Sequence, residues 1–255
     1  MSLRERASRP YNAPALAVVV TLLVVLAGCA APPTAPVAEQ PTVPARFPTE
    51  FYTQALAQGE AVYRLEPERS EIVVRVYRGG SLGRFGHDHV VASRDVRGFV
   101  LLARRGVDAR ADLYLPLDSL NVDEPARRAK AGFDTQPTQS DIDGTRRNMM
   151  DKVLEAQRYP FVTLHLTPAQ GEPPQMKLNA ALTMHGTTRT FPVEVEIDTA
   201  SAGTLEARGR FTINQTDFGM TPYALFGGAL RVEDKLDVDF DLHGVRIAPG
   251  AMLQN

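Results

Sequence analysis

Two histidines lie two positions apart in the segment GRFGHDHVV at positions 83–91, in a chain of 255 residues that contains only five histidines. If this segment is extended, His87 and His89 share one face and Asp88 points to the other. Neutral imidazole is a common ligand of transition metals, so two rings on one face could bind a single ion. The spacing therefore makes a metal site one hypothesis for this segment.

A zinc or copper centre needs a third or fourth donor, for which the sequence offers His185, Asp134 and Met149. Two other roles are open: the rings could contact the polar head group of a ligand, or they could bond to loop backbone and orient Asp88. General acid–base catalysis is disfavoured because no partnered nucleophile accompanies the pair. The chain also lacks the G-x-S-x-G, H-E-x-x-H and phosphate-loop motifs. These observations predict a binding protein, with no catalytic residues.

The first 28 residues have the order of a secretory signal peptide. Three arginines precede an uncharged apolar stretch at 15–27, which is short for a membrane span. Small residues then lead directly to Cys29, the only cysteine of the chain. This order resembles the lipobox of bacterial lipoproteins, which implies cleavage before Cys29 and acylation of both its thiol and the new amino terminus. A spare cysteine beside a simple signal peptide or a short membrane helix is the alternative.

Several acyl chains would anchor the protein firmly, since each buried CH₂ contributes about 0.8 kcal/mol. Position 30 is alanine, not aspartate, so by analogy with lipoproteins of diderm bacteria we expect the periplasmic face of the outer membrane. Removal of residues 1–28 takes three arginines and one glutamate from 28 basic and 30 acidic residues, leaving a net charge of −4. This balance offers no footprint for nucleic acid. With its cysteine acylated, the chain must be stabilised by a core, not by a disulfide.

Residues 29–58 are expected to form a tether. As far as residue 49 they are rich in proline and alanine and poor in large apolar side chains, so they bury too little to offset their ordering entropy. The segment TEFYTQALA at 49–57 could instead form one short helix, and an arm from Phe47 to Leu56 packed on the domain is the alternative.

Residues 59–248 are predicted to form one antiparallel β domain. Apolar residues alternate with polar ones over eight or nine segments, which is typical of strands with one buried face. Turn sequences such as MHGTTR at 184–189 separate them. Residues 141–157 have helical spacing instead, with Asp141 or Asp143 available as the N-cap. A polar face on every strand favours a closed barrel, or else a sandwich, around one apolar interior.

Six segments in chain order resemble the YceI-like family over about residues 61–245. They are YRLEPERSEIVVRVYR, VRGFV, LYLPLDSLNVDEPARR, NMMDKVLEAQRYPFVTLHL, LTMHGTTRTFPVEVEI and FTINQTDFGM. Where many members carry Arg-Asp-x-His, this chain has Arg146-Arg147-Asn148-Met149, so a head-group contact from that element is not expected. The Gly-His-Asp-His segment is similar to a feature of one subgroup.

The resemblance implies an eight-stranded antiparallel lipocalin-like barrel with one inserted helix, whose elongated pocket holds a polyisoprenoid chain such as a quinone tail. The inward faces of the strands nominate pocket-lining residues: Ile72, Val74, Val76, Leu113, Leu115, Leu164, Leu182, Val195, Phe211, Val238 and Phe240. Residues in loop-like stretches are predicted to lie at the mouth, which the aromatic ones would close: Phe85, His87, His89, Phe218, Tyr223 and Phe226.

The favoured function is therefore binding of an apolar lipid by a membrane-anchored periplasmic protein. A metal-binding or redox-related periplasmic protein that uses His87 and His89 is the alternative. A barrel with a packed core that serves only as an interaction module is a third hypothesis, and the sequence leaves a homodimer open.

Overall fold

The structure of the protein is a computed structural model, and it describes residues 42–102, 109–199, 203–248, 250, 251 and 253. Three α-helices lie in these ranges: α1 (Thr49–Ala57), α2 (Pro125–Ala131) and α3 (Gln139–Asn148). Twelve strands lie in them as well: β1 (Ala61–Leu65), β2 (Glu71–Gly79), β3 (His89–Ser93), β4 (Arg97–Leu102), β5 (Arg110–Pro116), β6 (Asn121–Val122), β7 (Phe161–Glu172), β8 (Gln175–Met184), β9 (Thr187–Asp198), β10 (Thr204–Asn214), β11 (Ala224–Leu225) and β12 (Leu230–Arg246).

Eight antiparallel strands close into a barrel in the order β1-β4-β5-β7-β8-β9-β10-β12. The ring closes where β1 pairs with the end of β12, with Tyr63 opposite Arg246. The long strand β12 then continues along β2, with Phe240 opposite Ile72, and β3 and β6 extend the wall beyond β2. The predicted eight-stranded barrel is confirmed, and the sandwich alternative is wrong.

The alternation of side chains along the strands decides which face is inside. In β9, Val193, Val195 and Ile197 are buried while the glutamates between them are exposed. Because successive side chains of a strand point to opposite faces, such strands can close only with their apolar row inward. One continuous apolar interior results, and it extends along the length of the barrel.

The inserted helix begins earlier than its apolar pattern suggests. Thr138 is the N-cap, and its hydroxyl accepts the Asp141 N–H at 3.3 Å while the Asp141 carboxylate accepts the Thr138 N–H at 2.9 Å. This reciprocal capping box, and neither Asp141 nor Asp143 as the cap, starts α3. The helix ends in a π-helical turn at Met149–Val153. The short helix α2 was not predicted, because its sequence PARRAKA has no apolar periodicity.

The helix α1 packs on the barrel. This arrangement is the alternative to a free tether, in which an arm from Phe47 to Leu56 packs on the domain. Its residues Tyr52, Ala55 and Leu56 are buried in one cluster with Val62 and Phe99. The Tyr52 hydroxyl also donates a 2.6 Å hydrogen bond to the carboxylate of Asp112 on β5. Phe47 to Leu56 is therefore an ordered part of the domain.

The predicted signal peptide, Cys29 and the first part of the tether lie outside the described residues. Within the described ranges, no helix combines the length and the apolar character that a membrane span needs.

Candidate ligand-binding cavity

The barrel interior contains a cavity of about 630 Å³, within the range of roughly 300–1,000 Å³ that is usual for ligand pockets. All eleven residues predicted to line a pocket lie in its wall: Ile72, Val74, Val76, Leu113, Leu115, Leu164, Leu182, Val195, Phe211, Val238 and Phe240. Their contact with a ligand stays a prediction. An eight-stranded barrel is wide enough either to fill with side chains or to hold one slender ligand, and this one is not filled. A packed core, as in the interaction-module hypothesis, is therefore wrong.

Small residues help to keep the interior open. Ala111, Ala180 and Ala207 belong to the wall among larger aliphatic side chains. Gly209 lies under the ring of Phe240, where an added Cβ would lie 2.5 Å from the ring carbon Cζ. The absence of a side chain at Gly209 thus lets this ring lie back against β10 instead of across the cavity.

One end of the cavity is polar, and we call this end the mouth. The polar residues of this end come from three places: the end of β2 and the segment that leads into β3, one face of α3, and the segments on either side of β11 as far as the start of β12. They are Arg78, His87, His89, Ser140, Asp141, Thr145, Asn148, Gln215, Tyr223 and Arg231. The body of the cavity is lined by aliphatic, phenylalanine and methionine side chains, together with Tyr114 of β5. Such a shape suits a molecule with a long apolar chain and a small polar end.

His89 is oriented by a buried carboxylate. Its Nδ1 lies 2.6 Å from Asp123 Oδ2, and the Asp123 side chain has no exposed surface. The other carboxylate oxygen accepts the Val90 N–H at 3.0 Å and an Arg128 N–H at 2.6 Å. Burial alone would raise the pKa of Asp123, but these bonds from His89, Val90 and Arg128 outweigh it and hold the pKa below its ordinary value. The ionised carboxylate therefore accepts from His89 Nδ1.

Asp88 shapes the loop that carries the two histidines. Its carboxylate accepts the Arg78 N–H at 2.8 Å, and its carbonyl oxygen accepts an Arg128 N–H at 2.5 Å. The Arg78 guanidinium in turn donates to Gly86 O at 3.0 Å and to both carboxylate oxygens of Asp134 at 2.9 and 3.0 Å. The prediction that the two histidines bond to loop backbone and orient Asp88 does not describe these contacts: His89 Nδ1 pairs with the Asp123 carboxylate, and Asp88 is held by the Arg78 N–H and by Arg128.

His87 has a free hydrogen-bonding group beside the cavity. Its ring lies in the cavity wall, 6.2 Å from the His89 ring between centroids. Its Nδ1 is buried, and in the part of the chain that the structure describes it has no hydrogen-bond partner. A buried polar atom without a partner costs about 1–3 kcal/mol. A polar group of a ligand at the mouth would remove this cost.

The geometry does not assemble a metal centre. His185 Nε2 lies 3.2 Å from a Glu155 carboxylate oxygen, Asp134 is engaged by Arg78, and Met149 lies in the cavity wall. Over residues 42–102, 109–199 and 203–248, no group of three or more His, Cys, Asp or Glu side chains is placed to hold an ion. The two histidines belong to the mouth of the cavity.

The aromatic residues predicted to close the mouth divide into two groups. Tyr223 and Phe85 lie in the cavity wall, although Phe85 is also 64% exposed. Phe218 is 1% exposed and packs in the core outside the wall, and Phe226 is 77% exposed and is not part of the wall. The prediction that these two close the mouth is wrong. Phe218 ends the 3-10 turn at Gln215–Phe218 with its ring buried in the core, and Phe226, whose backbone is left-handed with φ of 51°, exposes its ring outside the wall.

Helix α3 supplies polar wall residues that the sequence analysis did not nominate. Asp141, Thr145 and Asn148 all line the mouth. Their spacing of four and three residues places them on one helix face, so the pattern was available in the sequence. What it lacked was the position of that face over the end of the barrel.

Comparisons with known proteins agree with this architecture. The model of the YceI-like domain matches residues 63–244, and that family consists of binding proteins, not of enzymes. A polyisoprenoid-binding domain from Saccharophagus degradans, implicated in plant cell wall breakdown, is 17% identical, with a TM-score of 0.52 over 72% of this chain and 98% of its own. BcnA from Burkholderia cenocepacia is 14% identical, with a TM-score of 0.53 over 70% and 98%. These likenesses show the fold, and no curated protein matches the sequence.

Proposed function

Because the chain belongs to the YceI-like domain family, we propose that its barrel binds one apolar lipid, a polyisoprenoid such as a quinone tail, in the cavity. The observation that carries the proposal is an open cavity of about 630 Å³ whose body is largely apolar and whose polar residues, apart from Tyr114 of β5, lie at one end. Burial of an isoprenoid chain there would be driven by about 25 cal/mol per Å² of apolar surface removed from water. The Saccharophagus degradans domain of similar fold is a polyisoprenoid-binding domain, which supports this ligand class.

The polar end of the lipid would lie at the mouth. His87 Nδ1, buried and without a partner among the described residues, is placed to hydrogen-bond a hydroxyl or carbonyl oxygen there. Asp141 also lines the mouth, and its carboxylate is held ionised because hydrogen bonds from Thr138 keep its pKa below its ordinary value.

The test is extraction of lipid from the purified full-length chain, followed by mass spectrometry. The wild type should release a stoichiometric isoprenoid. In the variant Ala207→Phe, which fills part of the cavity, most of this lipid should be lost. The control Ala169→Phe introduces the same side chain at an exposed position of β7 and should retain the lipid. A wild-type protein that carries no lipid and takes up none from added isoprenoid quinone would refute the proposal.

We further propose that the mature protein is a lipoprotein of the periplasm, held by an acylated Cys29 at the outer membrane. The support is the order of the N-terminal residues: three arginines, the apolar stretch at 15–27, and small residues before the cysteine, with alanine at position 30. Cys29→Ser should abolish incorporation of labelled fatty acid and release the protein from the outer-membrane fraction. Equal labelling of the wild type and Cys29→Ser would overturn this assignment.

A further inference from the structure

Exposed large apolar side chains are concentrated at the mouth of the cavity. Among the described residues there are four: Phe51, Phe85, Leu225 and Phe226, exposed to 36%, 64%, 41% and 77%. The last three surround the mouth, and we call them the rim. Phe85 and Leu225 also belong to the cavity wall. An apolar surface therefore runs without interruption from the inside of the cavity to the outside of the protein.

Two loops hold the rim in place. The Leu82 N–H donates to Ala229 O at 2.7 Å, which joins the loop after β2 to the loop before β12. Gly80 lies so close that a Cβ would be 2.4 Å from the same Ala229 oxygen. Phe226 has φ of 51°, a conformation that is unfavourable for a residue with a side chain. The fold thus maintains an outward-pointing phenylalanine at the cost of local backbone strain.

Two cations flank the rim. The Arg84 guanidinium lies 4.6 Å from the centroid of the Phe85 ring, and the Lys152 ammonium lies 5.3 Å from that of Tyr223, which lines the mouth. Neither cation has a carboxylate within ion-pair distance in the described part of the chain. Apolar side chains with unpaired basic residues beside them are the combination that binds the interface of an anionic bilayer.

We propose that the rim docks on an anionic phospholipid membrane, so that a lipid passes between the bilayer and the cavity without crossing water. This inference rests on the proposed function, because only an apolar ligand needs such a passage. A second copy of the chain fits the rim less well. The exposed parts of its three side chains amount to roughly 350 Å², whereas a stable dimer buries about 800 Å² on each partner.

The chain contains no tryptophan, so one introduced indole reports its own surroundings. Phe226→Trp places this reporter on the rim, and Phe51→Trp is the matched control on α1. These sites lie toward opposite ends of β12, which covers about 50 Å from Leu230 at the mouth to Arg246 near α1. Phe51 also follows the N-terminal segment directly, so attachment of the chain through that segment alone would not favour the rim over Phe51.

The full-length chain is mixed with vesicles of phosphatidylethanolamine and phosphatidylglycerol. We expect the Phe226→Trp emission to shift to shorter wavelength and to be quenched by brominated acyl chains, while the Phe51→Trp emission changes little. Adding Arg84→Gln and Lys152→Gln should weaken docking about twenty-five-fold, since each cation near an anionic surface contributes about a factor of five. Because Phe226 is mostly exposed, the thermal unfolding of Phe226→Trp should match that of the wild type.

Three results would overturn the inference: no change at Phe226→Trp, equal quenching at both reporter positions, or a shift without vesicles that grows with protein concentration. The last would assign the rim to a second copy of the chain. Docking without extractable lipid would refute the proposed ligand and leave the membrane surface standing. Extractable lipid without docking would refute the membrane surface alone.

Discussion

Replacing Asp123 by asparagine should destabilise the protein by about 3 kcal/mol, near the lower end of the cost of breaking a buried ion pair. The two amino acids have the same shape, and asparagine tolerates the left-handed backbone of this position, where φ is 56°. The substitution therefore removes the charge with little change in packing. The buried Arg128 guanidinium loses its counter-ion, and His89 Nδ1 faces an amide in place of a carboxylate oxygen.

The magnitude follows from the contact between Asp123 Oδ1 and Arg128 Nη1, which is 2.6 Å. At an effective dielectric constant of about 20, two unit charges at this distance attract by about 6 kcal/mol. Desolvation of both groups offsets part of this attraction, and the amide oxygen can still accept the Val90 N–H. A net loss of about 3 kcal/mol remains.

Urea unfolding followed by far-ultraviolet circular dichroism measures this loss. Asp134→Asn is the matched control, because Asp134 also binds an arginine but its side chain is 68% exposed. Exposed pairs contribute about 0–1 kcal/mol, so the control should stay within 1 kcal/mol of the wild type. Equal effects of the two substitutions would refute the role assigned to the buried carboxylate.

The ionised carboxylate of Asp123 also makes the stability of the protein depend on pH. The pKa of Asp123 is lower in the folded state than its ordinary value, so the unfolded chain binds the proton first as the pH falls. The contribution of the ionised Asp123 carboxylate to the free energy of unfolding is complete above its unfolded pKa of about 3.9. It is lost as the pH falls through the pKa of Asp123 in the folded state. The stability of Asp123→Asn should therefore fall less steeply than that of the wild type below about pH 4.

Three smaller effects can be measured in the same unfolding assay. Tyr52→Phe should cost about 1.5–2 kcal/mol because it removes a buried hydrogen bond to the ionised Asp112; an effect below about 0.5 kcal/mol would contradict this. Gly98→Ala should cost more than 3 kcal/mol, since its Cβ would lie 2.2 Å from the Asp112 carbonyl oxygen, whereas Gly144→Ala, with open space around it, should gain about 0.5–1 kcal/mol. Thr138→Ala should lose about 1 kcal/mol with the capping box, and an unchanged midpoint would show that the cap is dispensable.

The wall of the cavity was predictable from the sequence because it depends on a local rule. Successive residues of a strand point to opposite faces, so the alternation around Val74, Leu113 or Val238 identifies the inward row wherever the strand lies in the sheet. All eleven nominated wall residues obey this rule. The helix predicted over 141–157 came from the spacing of Met149, Met150 and Val153, which lie in the π-helical turn after α3, so the prediction overlaps α3 without matching its bounds.

No such local rule applies to the loops at the mouth. The sequence therefore predicted the positions of only some of their side chains correctly. Phe218 and Phe226 lie eight residues apart in similar loop sequence, yet one is buried in the core and the other is the most exposed of the large apolar residues described. Their directions depend on the turn after β10 and on the contact between the loops that carry Gly80 and Ala229.

The sequence by itself determined the class of fold, the inward row of the strands that carry the predicted wall residues, and the apolar character of the interior, because these depend on composition and on periods of a few residues. Tertiary structure alone decided that β1 closes on β12, that α3 lies over the open end, and that His89 meets a carboxylate 34 positions away. Such contacts join residues far apart in the chain, and their free energy appears only when the barrel has closed. The residues of the segment GRFGHDHVV therefore indicated that it is polar, whereas only the closed barrel showed that it borders an apolar cavity.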